Sequence, residues 1–441
     1  MRSRPSRSCF ESWRGVYHPS PGTVADDTAS DGGGDGGGDG GGVPPNEELA
    51  DDPLWDLAAP PTFRLTVPED DWESALWDIV PTDECASRLY LEGDLTFVNP
   101  VDGSEELWEQ VGLRWRGHSA LDVGENARPG LKLSFNEYVP GREFLDLRKV
   151  NLMGTEGDYT AMREHLALRI ARDMGIEAPR STYAHLYVND RYMGFYPMTE
   201  EADDERYVKN HFADASGALL KIEGYCGGRG DFADVGDDPE DYIETYDPKG
   251  ETPDTAIEDD LFPLIACVNV ANDDDFEACI PDLIDVENFL TEIAVDVVLP
   301  DIDGMIGAGQ NYMIYKQPET GLFVIWPWDK DLALDDANLA SNWDLAGVHP
   351  SWADDFRNLL GDRLVRTFRG DYCGIVETVA DRYDPAYLVP ELEEHRALLA
   401  PWIQADPWMD AERWGWITDD VVDAIDIRHP DIVARARACD F

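Results

Sequence analysis

Lysine is scarce in this sequence. Only seven of the 35 basic residues are Lys, and 91 Asp and Glu residues give the chain a formal net charge of −56. Nucleic acid is not an expected partner, because phosphate contacts require clusters of Lys and Arg. The acidity is more typical of solubility, salt adaptation or codon bias than of a surface made for a cationic partner. A Lys within an apolar segment is therefore unusual in this chain.

Long hydrophobic runs are also missing. No stretch reaches the roughly 18 apolar residues of a membrane span, and the longest candidates, near Leu261–Val270 and Ile293–Leu299, are limited by charge. Apolar residues nevertheless make up 43% of the chain, which is ample for a buried core in one large or two fused domains. The sequence predicts a soluble folded part without a transmembrane span.

Residues 1–53 lack the composition of a folded domain. Asp31 begins three successive Asp-Gly-Gly-Gly repeats, which Val43-Pro-Pro follows. Such a segment has high backbone entropy and self-repelling charge, so we expect a disordered acidic, Gly-rich tether. A tether of this kind indicates a protein held off a cell surface, for example as a lipoprotein. The apolar segment of a signal peptide is absent from the given start, so an extracellular or cell-surface location is expected and a cytoplasmic one stays open.

The cysteines include no Cys-x-x-Cys pair, which leaves a zinc or redox site without support. Cys9 lies in the tether, and six cysteines remain in the body of the chain: Cys85, Cys226, Cys267, Cys279, Cys373 and Cys439. Up to three disulfides are possible in an oxidising compartment, with Cys267 and Cys279 as the first expected pair. Six buried free thiols are the alternative.

Short strands with alternating apolar residues dominate residues 54–200. The pattern predicts strands at Phe63–Val67, Leu95–Val98, Trp108–Trp115, Leu131–Phe135, Leu147–Leu152, Ala184–Val188 and Met193–Met198. One helix is predicted at Tyr159–Met174, with Glu164 on its exposed side as a paired or simply surface charge.

Residues 201–441 have a different character, since residues 201–260 are acidic and weakly periodic and helices follow. Helices are predicted at Asp285–Val298, Trp352–Phe368, Gly374–Tyr383, Pro385–Leu399 and Ile417–Ala424. The expected fold class is α+β, with a small β-rich N-terminal lobe (54–200) that holds one helix and a larger, mostly helical C-terminal lobe (201–441). Ligands commonly bind in a cleft between two such lobes.

The most informative segment joins two apolar strands, Tyr312–Lys316 and Leu322–Trp326, around a Gln-Pro-Glu-Thr-Gly turn. In an antiparallel hairpin, facing Cα atoms are only about 4.5–5.5 Å apart. Asn311 and Asp329, at the open ends, should therefore converge. The preceding loop, which carries Asp301 and Asp303, enters the same place.

Oxygen-bearing side chains that meet in this way favour a hard divalent cation such as Mg²⁺ or Mn²⁺ together with substrate phosphate. Asp-x-Asp sequences also arise by chance in so acidic a chain. Phosphoryl transfer needs cations near the phosphates as well, and Arg116 and Lys132 are the candidates in the first half. Lys132 alternates with two Leu residues, so it lies on the opposite face of its strand, where a solvated Lys is the common outcome.

A series of short motifs runs through about half of the chain, from Arg114 to Asp336: Arg116-Gly-His-Ser, Gly130-Leu-Lys132, Leu152-Met-Gly, Asp158-Tyr-Thr-Ala-Met-Arg163-Glu, Val188-Asn-Asp-Arg-Tyr-Met-Gly194-Phe-Tyr-Pro-Met-Thr-Glu200, Leu220-Lys221, Asp303 with Asn311-Tyr, and Trp326-Pro-Trp-Asp329-Lys-Asp331. In content and order, these motifs resemble those of the spore coat protein H (CotH) kinase family. Each motif is weak alone, and the set is fairly specific.

The resemblance implies an atypical protein-kinase-like two-lobe fold that uses ATP with Mg²⁺ or Mn²⁺ and phosphorylates Ser or Thr on secreted or surface proteins. By position, Asp303 matches the loop Asp near the transferred phosphate, and Asn311 matches the Asn that follows. Asp329 and Asp331 match the metal-binding end of the family's Trp-Asp-x-Asp motif. The resemblance does not decide which of the two is the main metal ligand. Glu200 ends the strand that leads into the hinge between the two lobes, on the side where adenine would bind.

The sequence departs from ordinary kinases. Asp303 and Asn311 are eight positions apart, and the Gly-x-Gly-x-x-Gly, Val-Ala-Ile-Lys and Asp-Phe-Gly strings are absent. The expected assignment is catalytic for Asp303 and Asn311, cofactor-binding for Arg116, Lys132 and Glu200, and metal-binding for Asn311, Asp329 and Asp331.

Two alternatives stay open at this point. The first is a non-catalytic surface or coat-assembly module of pseudokinase type, in which an acidic cleft holds only a structural ion. The second is a hydrolase with paired carboxylates, in which the Asn and the hairpin would have no purpose. The acceptor protein and the oligomeric state are not determined by the sequence.

Overall fold

A computed structural model describes residues 53–81, 87–117, 128–155, 157–224, 228–334 and 358–439. All of them belong to one compact unit, Gly41–Phe441. The predicted tether lies outside the described residues except for its last position, as do Cys85 and Cys226. The predicted boundary between residues 200 and 201 stays a prediction.

Seven strands of the N-terminal half form a closed β-barrel. They are β1 (Thr62–Thr66), β2 (Leu91–Val98), β3 (Glu105–Arg116), β4 (Gly130–Ser134), β5 (Lys149–Leu152), β6 (Ser181–Val188) and β7 (Arg191–Glu200). The strand order is β1-β2-β3-β4-β5-β7-β6, and β1 closes the barrel by pairing in parallel with β6. Strand alternation points one set of side chains inward, where Leu131, Leu133, Val150 and Leu152 are fully buried in the barrel core.

The prediction of a two-lobe kinase-like fold with a small β-rich lobe and one helix is wrong. The strands close into a barrel that belongs to the same compact unit as the remaining described residues. The region also holds two helices, α1 (Trp72–Asp78) and α2 (Arg163–Asp173). The physical reason is that alternation identifies strands one at a time, whereas the β1–β6 pairing joins segments more than a hundred residues apart and leaves no local signal.

A second sheet has the strand order β11-β10-β8-β9. Its members are β8 (Leu219–Ile222), β9 (Asp247–Lys249), β10 (Tyr312–Lys316) and β11 (Phe323–Pro327). The predicted hairpin is confirmed, because β10 and β11 pair antiparallel from Tyr312↔Pro327 to Lys316↔Phe323. The strand β8, which pairs with β10, falls in the weakly periodic segment where no strand was predicted.

Helices supply most of the remaining structure. They are α3 (Glu205–His211), α4 (Glu240–Ile243), α5 (Phe262–Val268), α6 (Asp273–Cys279), α7 (Val286–Val298), α8 (Leu359–Thr367), α9 (Arg369–Arg382), α10 (Pro385–Ala405) and α11 (Ala411–Ala438). The helix α7 is buried along most of its length and packs against α9 and β11. It therefore supports the hairpin from behind.

Two disulfides are present in the described part of the chain. The predicted pair Cys267–Cys279 is confirmed, with Cα atoms 6.0 Å apart. A second bond joins Cys373 in α9 to Cys439 directly after α11. Within the same part of the chain, no helix combines the length and the apolar character that a membrane crossing needs.

Candidate functional site

A row of polar side chains crosses the outer face of the barrel. Arg114 on β3 faces Lys132 on β4, which in turn faces Asn151 on β5, and Asn151 faces Thr199 on β7. Their neighbours along each strand point into the barrel core, so these four side chains point outward. All four line one cavity of about 380 Å³. The outward position predicted for Lys132 is confirmed, but the side chain faces this cavity and is buried.

The open end of the β10–β11 hairpin forms the opposite wall. Asn311 directly precedes β10, and Asp329 is the second residue after β11. Between β11 and Asp329, the Trp328 amide donates to the Asn311 carbonyl at 3.0 Å. Both Asn311 and Asp329 have left-handed backbone angles, with φ of 59° and 56°. Both line the cavity. The hairpin thus brings together the two residues that its pairing predicted to converge.

Asp303 joins this pair from the preceding loop. Its carboxylate accepts hydrogen bonds from Asn311 Nδ2 at 3.1 Å and from Gln310 Nε2 at 2.5 Å. Burial, with help from Asp301 and Asp329, raises the pKa of Asp303 to about 6. At neutral pH this carboxylate is mostly ionised and can accept a proton. Its pKa lies close to the pH, which is the condition that favours general-base chemistry.

Asp329 is paired with a cation of the protein itself. Arg116 Nη2 lies 3.0 Å from Asp329 Oδ1. Burial opposes the charge of Arg116, but Asp329 and Glu164 more than offset that effect and raise the pKa of the guanidinium. A metal ion at Asp329 would therefore compete with Arg116 for the same carboxylate.

Asp331 does not line the cavity, although it lies near Asp329, Glu164, Arg116 and Asp303, which do. Its carboxylate contacts Gly157 so closely that any side chain at position 157 would collide with it. Burial and the nearby carboxylates of Asp329 and Glu164 raise the pKa of Asp331 well above the ordinary Asp value. Asp329 is thus the residue of the two that faces the cavity.

Lys132 pairs with Glu201, with 2.5 Å between Nζ and Oε2. Burial lowers the pKa of Lys132 to about 8 although Glu201 acts in the opposite direction. A second lysine, Lys221, lies 3.1 Å from Asp203 and 4.3 Å from the centre of the Trp328 ring. Two ammonium groups therefore face the same cavity with carboxylate partners.

The carboxylate of Glu200 is already engaged. It binds Arg180 at 2.8 Å and His211 at 3.2 Å, and these partners, against the opposing effect of burial, hold the pKa of Glu200 well below the ordinary Glu value. The residue lines the cavity at the end of β7. Its side chain fixes the end of that strand.

Sequence reasoning missed Glu164, which was expected on the exposed side of its helix. The helix begins four residues later than predicted, at Arg163, and its first turn is buried on every side. Glu164 lies in this turn, with 3% exposure, and lines the cavity. Its Oε1 has no hydrogen-bond partner among the described residues. Burial and the charge of Asp329 raise its pKa to about 8. No local signal marks this burial, because it depends on contacts with distant segments such as Thr199 on β7.

The cavity lining is densely charged with both signs. Its basic residues are Arg88, Arg114, Arg116, Lys132, Lys221 and Lys249. Its acidic residues are more numerous: Glu164, Glu200, Glu201, Asp203, Glu223, Glu244, Asp247, Asp303 and Asp329. The volume lies within the roughly 300–1,000 Å³ of small-molecule sites, and the mixture of charges suits an anionic ligand that binds together with a cation.

The donor set also fits a hard divalent cation. Asn311, Asp303, Asp329 and the unpartnered oxygen of Glu164 provide only oxygen ligands, which Mg²⁺ and Mn²⁺ prefer. Within the described ranges, no three His, Cys, Asp or Glu side chains form a ready-made metal cluster. Mg²⁺ sites of the nucleotide-binding type use one or two carboxylates and complete their shell with phosphate and water.

Comparison with known proteins gives consistent relatives. A family model described as "CotH kinase protein" matches residues 113–425. The inner spore coat protein H of Bacillus subtilis is 25% identical over 365 residues, which cover 77% of this chain and 92% of that protein. Invasin CotH7 of Rhizopus delemar is 25% identical over 256 residues, which cover 57% of this chain and 39% of the invasin.

One solved structure is also similar. The Helicobacter pylori proinflammatory kinase CtkA aligns with a TM-score of 0.33 and 12% sequence identity. The alignment covers 82% of this chain and 96% of CtkA.

Proposed function

This chain belongs to the CotH kinase protein family, and from that membership we propose that it is a metal-dependent phosphotransferase that moves a phosphoryl group from ATP to Ser or Thr of a protein. The observation that carries the proposal is the convergence of Asp303, Asn311 and Asp329 on the cavity that Arg116 and Lys132 also line. Phosphoryl transfer depends mainly on positioning and on charge stabilisation, which such a constellation supplies.

Asp303 is the candidate catalytic base. Its carboxylate is fixed by Gln310 and Asn311, and a pKa of about 6 leaves it mostly ionised at neutral pH. It would orient the acceptor hydroxyl and take its proton as the oxygen attacks the terminal phosphorus of ATP. The bond to the bridging oxygen breaks, and ADP leaves with that electron pair.

Asn311 and Asp329 would hold Mg²⁺ or Mn²⁺, with Asp331 near Asp329. When bound, the cation neutralises charge on the phosphates. Asp331 borders Gly157 and does not line the cavity, so we assign Asp329 as the main carboxylate ligand. The unpartnered oxygen of Glu164 adds a further donor on the barrel side.

Arg116 and Lys132 would bind the phosphates. Arg116 offers a planar fork of donors that matches phosphate oxygens, and Lys132 offers a point charge. Glu200 would act on the nucleotide side indirectly, because its carboxylate is taken by Arg180 and His211. Its role is to fix the end of β7, beside Glu201 and Lys132.

A coat or cell-surface setting fits the names of the relatives, an inner spore coat protein and an invasin. We propose that this chain likewise acts on a protein of a coat or surface. The two disulfides agree with an oxidising compartment. The partner would be a protein that presents Ser or Thr.

The test is transfer of radiolabelled phosphate from ATP in the presence of Mn²⁺ by the purified full chain. Asp303→Asn and Asp329→Asn should each reduce transfer by at least about a hundredfold, because each removes a preorganised charge. Asp274→Asn, at an exposed position of α6, is the matched control and should transfer normally. Transfer that persists in both site variants would remove the assignment. A melting temperature that rises with ATP and Mn²⁺, without phosphate transfer, would favour the non-catalytic pseudokinase-type module instead.

A further inference from the structure

A buried ion cluster lies directly behind the candidate site. Lys330 is 2% exposed, and its partners Glu292, Asp296 and Asp301 are at most 1% exposed. Lys330 Nζ lies 3.0 Å from Asp301 Oδ2 and 3.5 Å from Glu292 Oε1, and it also forms an ion pair with Asp296. Glu292 and Asp296 belong to α7. None of the four lines the cavity, so they do not contact a ligand there.

The cluster connects the two chain segments that carry the site. Asp301 Oδ1 accepts a hydrogen bond from the Asp303 amide at 3.0 Å, while its Oδ2 faces Lys330. Lys330 directly follows Asp329 in the chain. The Asp301 amide donates to the Asp296 carbonyl at 3.2 Å. The loop of Asp303 and the end of the hairpin are therefore attached to one ammonium group and to one helix.

The loop passes the cluster at very close range. A Cβ added at Gly304 would lie 2.6 Å from Asp296 Oδ2 and 2.9 Å from Lys330 Nζ. Real Cβ atoms do not approach so closely, so a side chain at position 304 would displace members of the cluster. The backbone next to Asp303 thus packs directly against the cluster.

Stability alone does not explain this arrangement. One ammonium group faces three carboxylates, and Glu292 Oε2 and Asp296 Oδ2 have no hydrogen-bond partner in the described part of the chain. Buried ion clusters of this kind are often no more stable than apolar side chains of the same volume. What they add is a specific geometry, because removal of one member leaves the others uncompensated.

We propose that Lys330 is a positioning residue that holds Asp303 and Asp329 in a fixed relative position by tying both segments to α7. The proposal rests on the proposed function for the role of those two residues. Lys330 acts through Asp301 on Asp303, and through its own backbone on Asp329.

The test compares Asp301→Asn with the charge-balanced double variant Lys330→Met/Asp296→Asn. Asp301→Asn keeps the acceptor for the Asp303 amide and loses the ionic link to Lys330, so it should fold. The double variant removes one charge of each sign. Lys316→Met is the matched control, because Lys316 lies on the same hairpin and pairs with Asp260 at 2.7 Å, outside the cavity.

Two quantities are measured below the melting temperature: Mn²⁺ affinity without nucleotide, by electron paramagnetic resonance, and kcat with Mn²⁺ and ATP. We expect Asp301→Asn to lower kcat by about tenfold and the double variant by about a hundredfold, the scale of a 1 Å misplacement. The double variant should also bind Mn²⁺ several-fold more weakly. Lys316→Met should change neither quantity.

Wild-type kcat and Mn²⁺ affinity in Asp301→Asn would overturn the proposal, whether or not the double variant folds. A lower melting temperature in both cluster variants, with kcat per folded molecule unchanged, would make the cluster merely structural and would overturn it too. Failure of the proposed function looks different, because the wild-type chain would then transfer no phosphate. The effect of Lys330 on Mn²⁺ affinity would still be measurable in that case.

Discussion

Asn311 and Asp329 serve two purposes at the scale of single residues. Each lies at an open end of the hairpin with a left-handed backbone, a conformation that Asn and Asp adopt more readily than other residues with a Cβ. Each also lines the cavity, where its side-chain oxygen would face the proposed cation. Strained backbones that persist at such places are characteristic of functional sites. The same residue type therefore satisfies both the turn and the proposed cation.

Arg116 gives the first prediction, because it occupies the carboxylate that a cation would need. We expect Arg116→Met to bind Mn²⁺ about tenfold more tightly than the wild type without nucleotide, since one charge-assisted contact at Asp329 is removed. The same variant should bind ATP more weakly in the presence of Mn²⁺. Titration calorimetry measures both affinities.

Arg206→Met is the control for this comparison. Arg206 forms an Arg–Asp pair of similar length, 2.7 Å to Asp146, outside the cavity. Its loss should leave both affinities unchanged. Weaker Mn²⁺ binding in Arg116→Met would contradict a competition for Asp329.

Lys132 gives a pH-dependent prediction. Burial lowers its pKa to about 8, so its charge is present at neutral pH and is lost as the pH rises through that value. If the charged form binds phosphate, ATP affinity should fall by up to about tenfold between about pH 7 and pH 9. Lys132→Arg keeps its charge over this range and should show a much flatter profile. A similar decline in both proteins would exclude Lys132 as the titrating group.

The positions of single side chains could be predicted only where a turn or a strand determines the direction in which they point. The hairpin turn placed Asn311 and Asp329, and strand alternation placed Lys132 on the outer face of its strand. The partner of Lys132, Glu201, was not predicted, and neither was the burial of Glu164. Both depend on how the barrel wall meets the hairpin, which is a contact between distant segments.

At the scale of elements, strong local signals were reliable and long-range pairings were not. The β10–β11 hairpin and α7 were predicted within one or two residues, because a turn motif or a capping Asp285 marks their ends. The strand β8 is only four residues long and lies in a polar segment. Its partner β10 is about ninety positions away along the chain, so no local pattern announces it.

Two imidazoles, the buried His165 and the half-buried His395, join α2 to α10 and give a prediction for stability. The rings of His165 and His395 are 4.9 Å apart, and Tyr183 Oη lies 2.8 Å from His395 Nε2. Burial lowers the pKa of His395 to about 4 and that of His165 well below the ordinary value. The unfolded chain thus takes up these protons more readily, so the stability that the pair contributes is present above about pH 6.5 and is lost as the pH falls toward 4.

The free energy of unfolding should fall between about pH 6.5 and pH 4 in both the wild type and His395→Gln. We expect this fall to be smaller in His395→Gln, by about 1–3 kcal/mol. Urea unfolding at several pH values measures this difference. His211→Gln is an opposite control, because Glu200 and Glu177 outweigh burial and raise the pKa of His211. Its contribution is complete below about pH 6.5 and is lost at higher pH. Parallel pH profiles for all three proteins would contradict the account.

At the scale of the whole molecule, one cavity collects basic residues from distant parts of the chain. The chain has a net charge of −56, and six basic residues line this cavity together with nine acidic ones. The sequence predicted the total charge but not this grouping, because the basic residues come from β3, β4, β8, β9 and the segment before β2. The closure of the barrel and the second sheet bring these segments together. The whole-chain architecture was the part of the fold that sequence reasoning predicted wrongly, for the same reason.

The net charge predicts a strong dependence of stability on salt. Like charges on the surface repel each other in the compact state, and screening increases as the Debye length falls from about 30 Å at 0.01 M salt to about 8 Å at 0.15 M. We expect the melting temperature to rise by several degrees over this range. Thermal unfolding monitored by circular dichroism tests this, and a melting temperature that falls with salt would contradict it.

The most direct test of the central claim is the affinity for ATP with and without Mn²⁺, measured by calorimetry on the wild-type chain and on Asn311→Ala/Asp329→Asn. The account predicts that Mn²⁺ strengthens ATP binding to the wild type by at least about tenfold, or 1.4 kcal/mol, and that the double variant loses this gain. Equal ATP affinities in both proteins, or no effect of Mn²⁺ on the wild type, would contradict it.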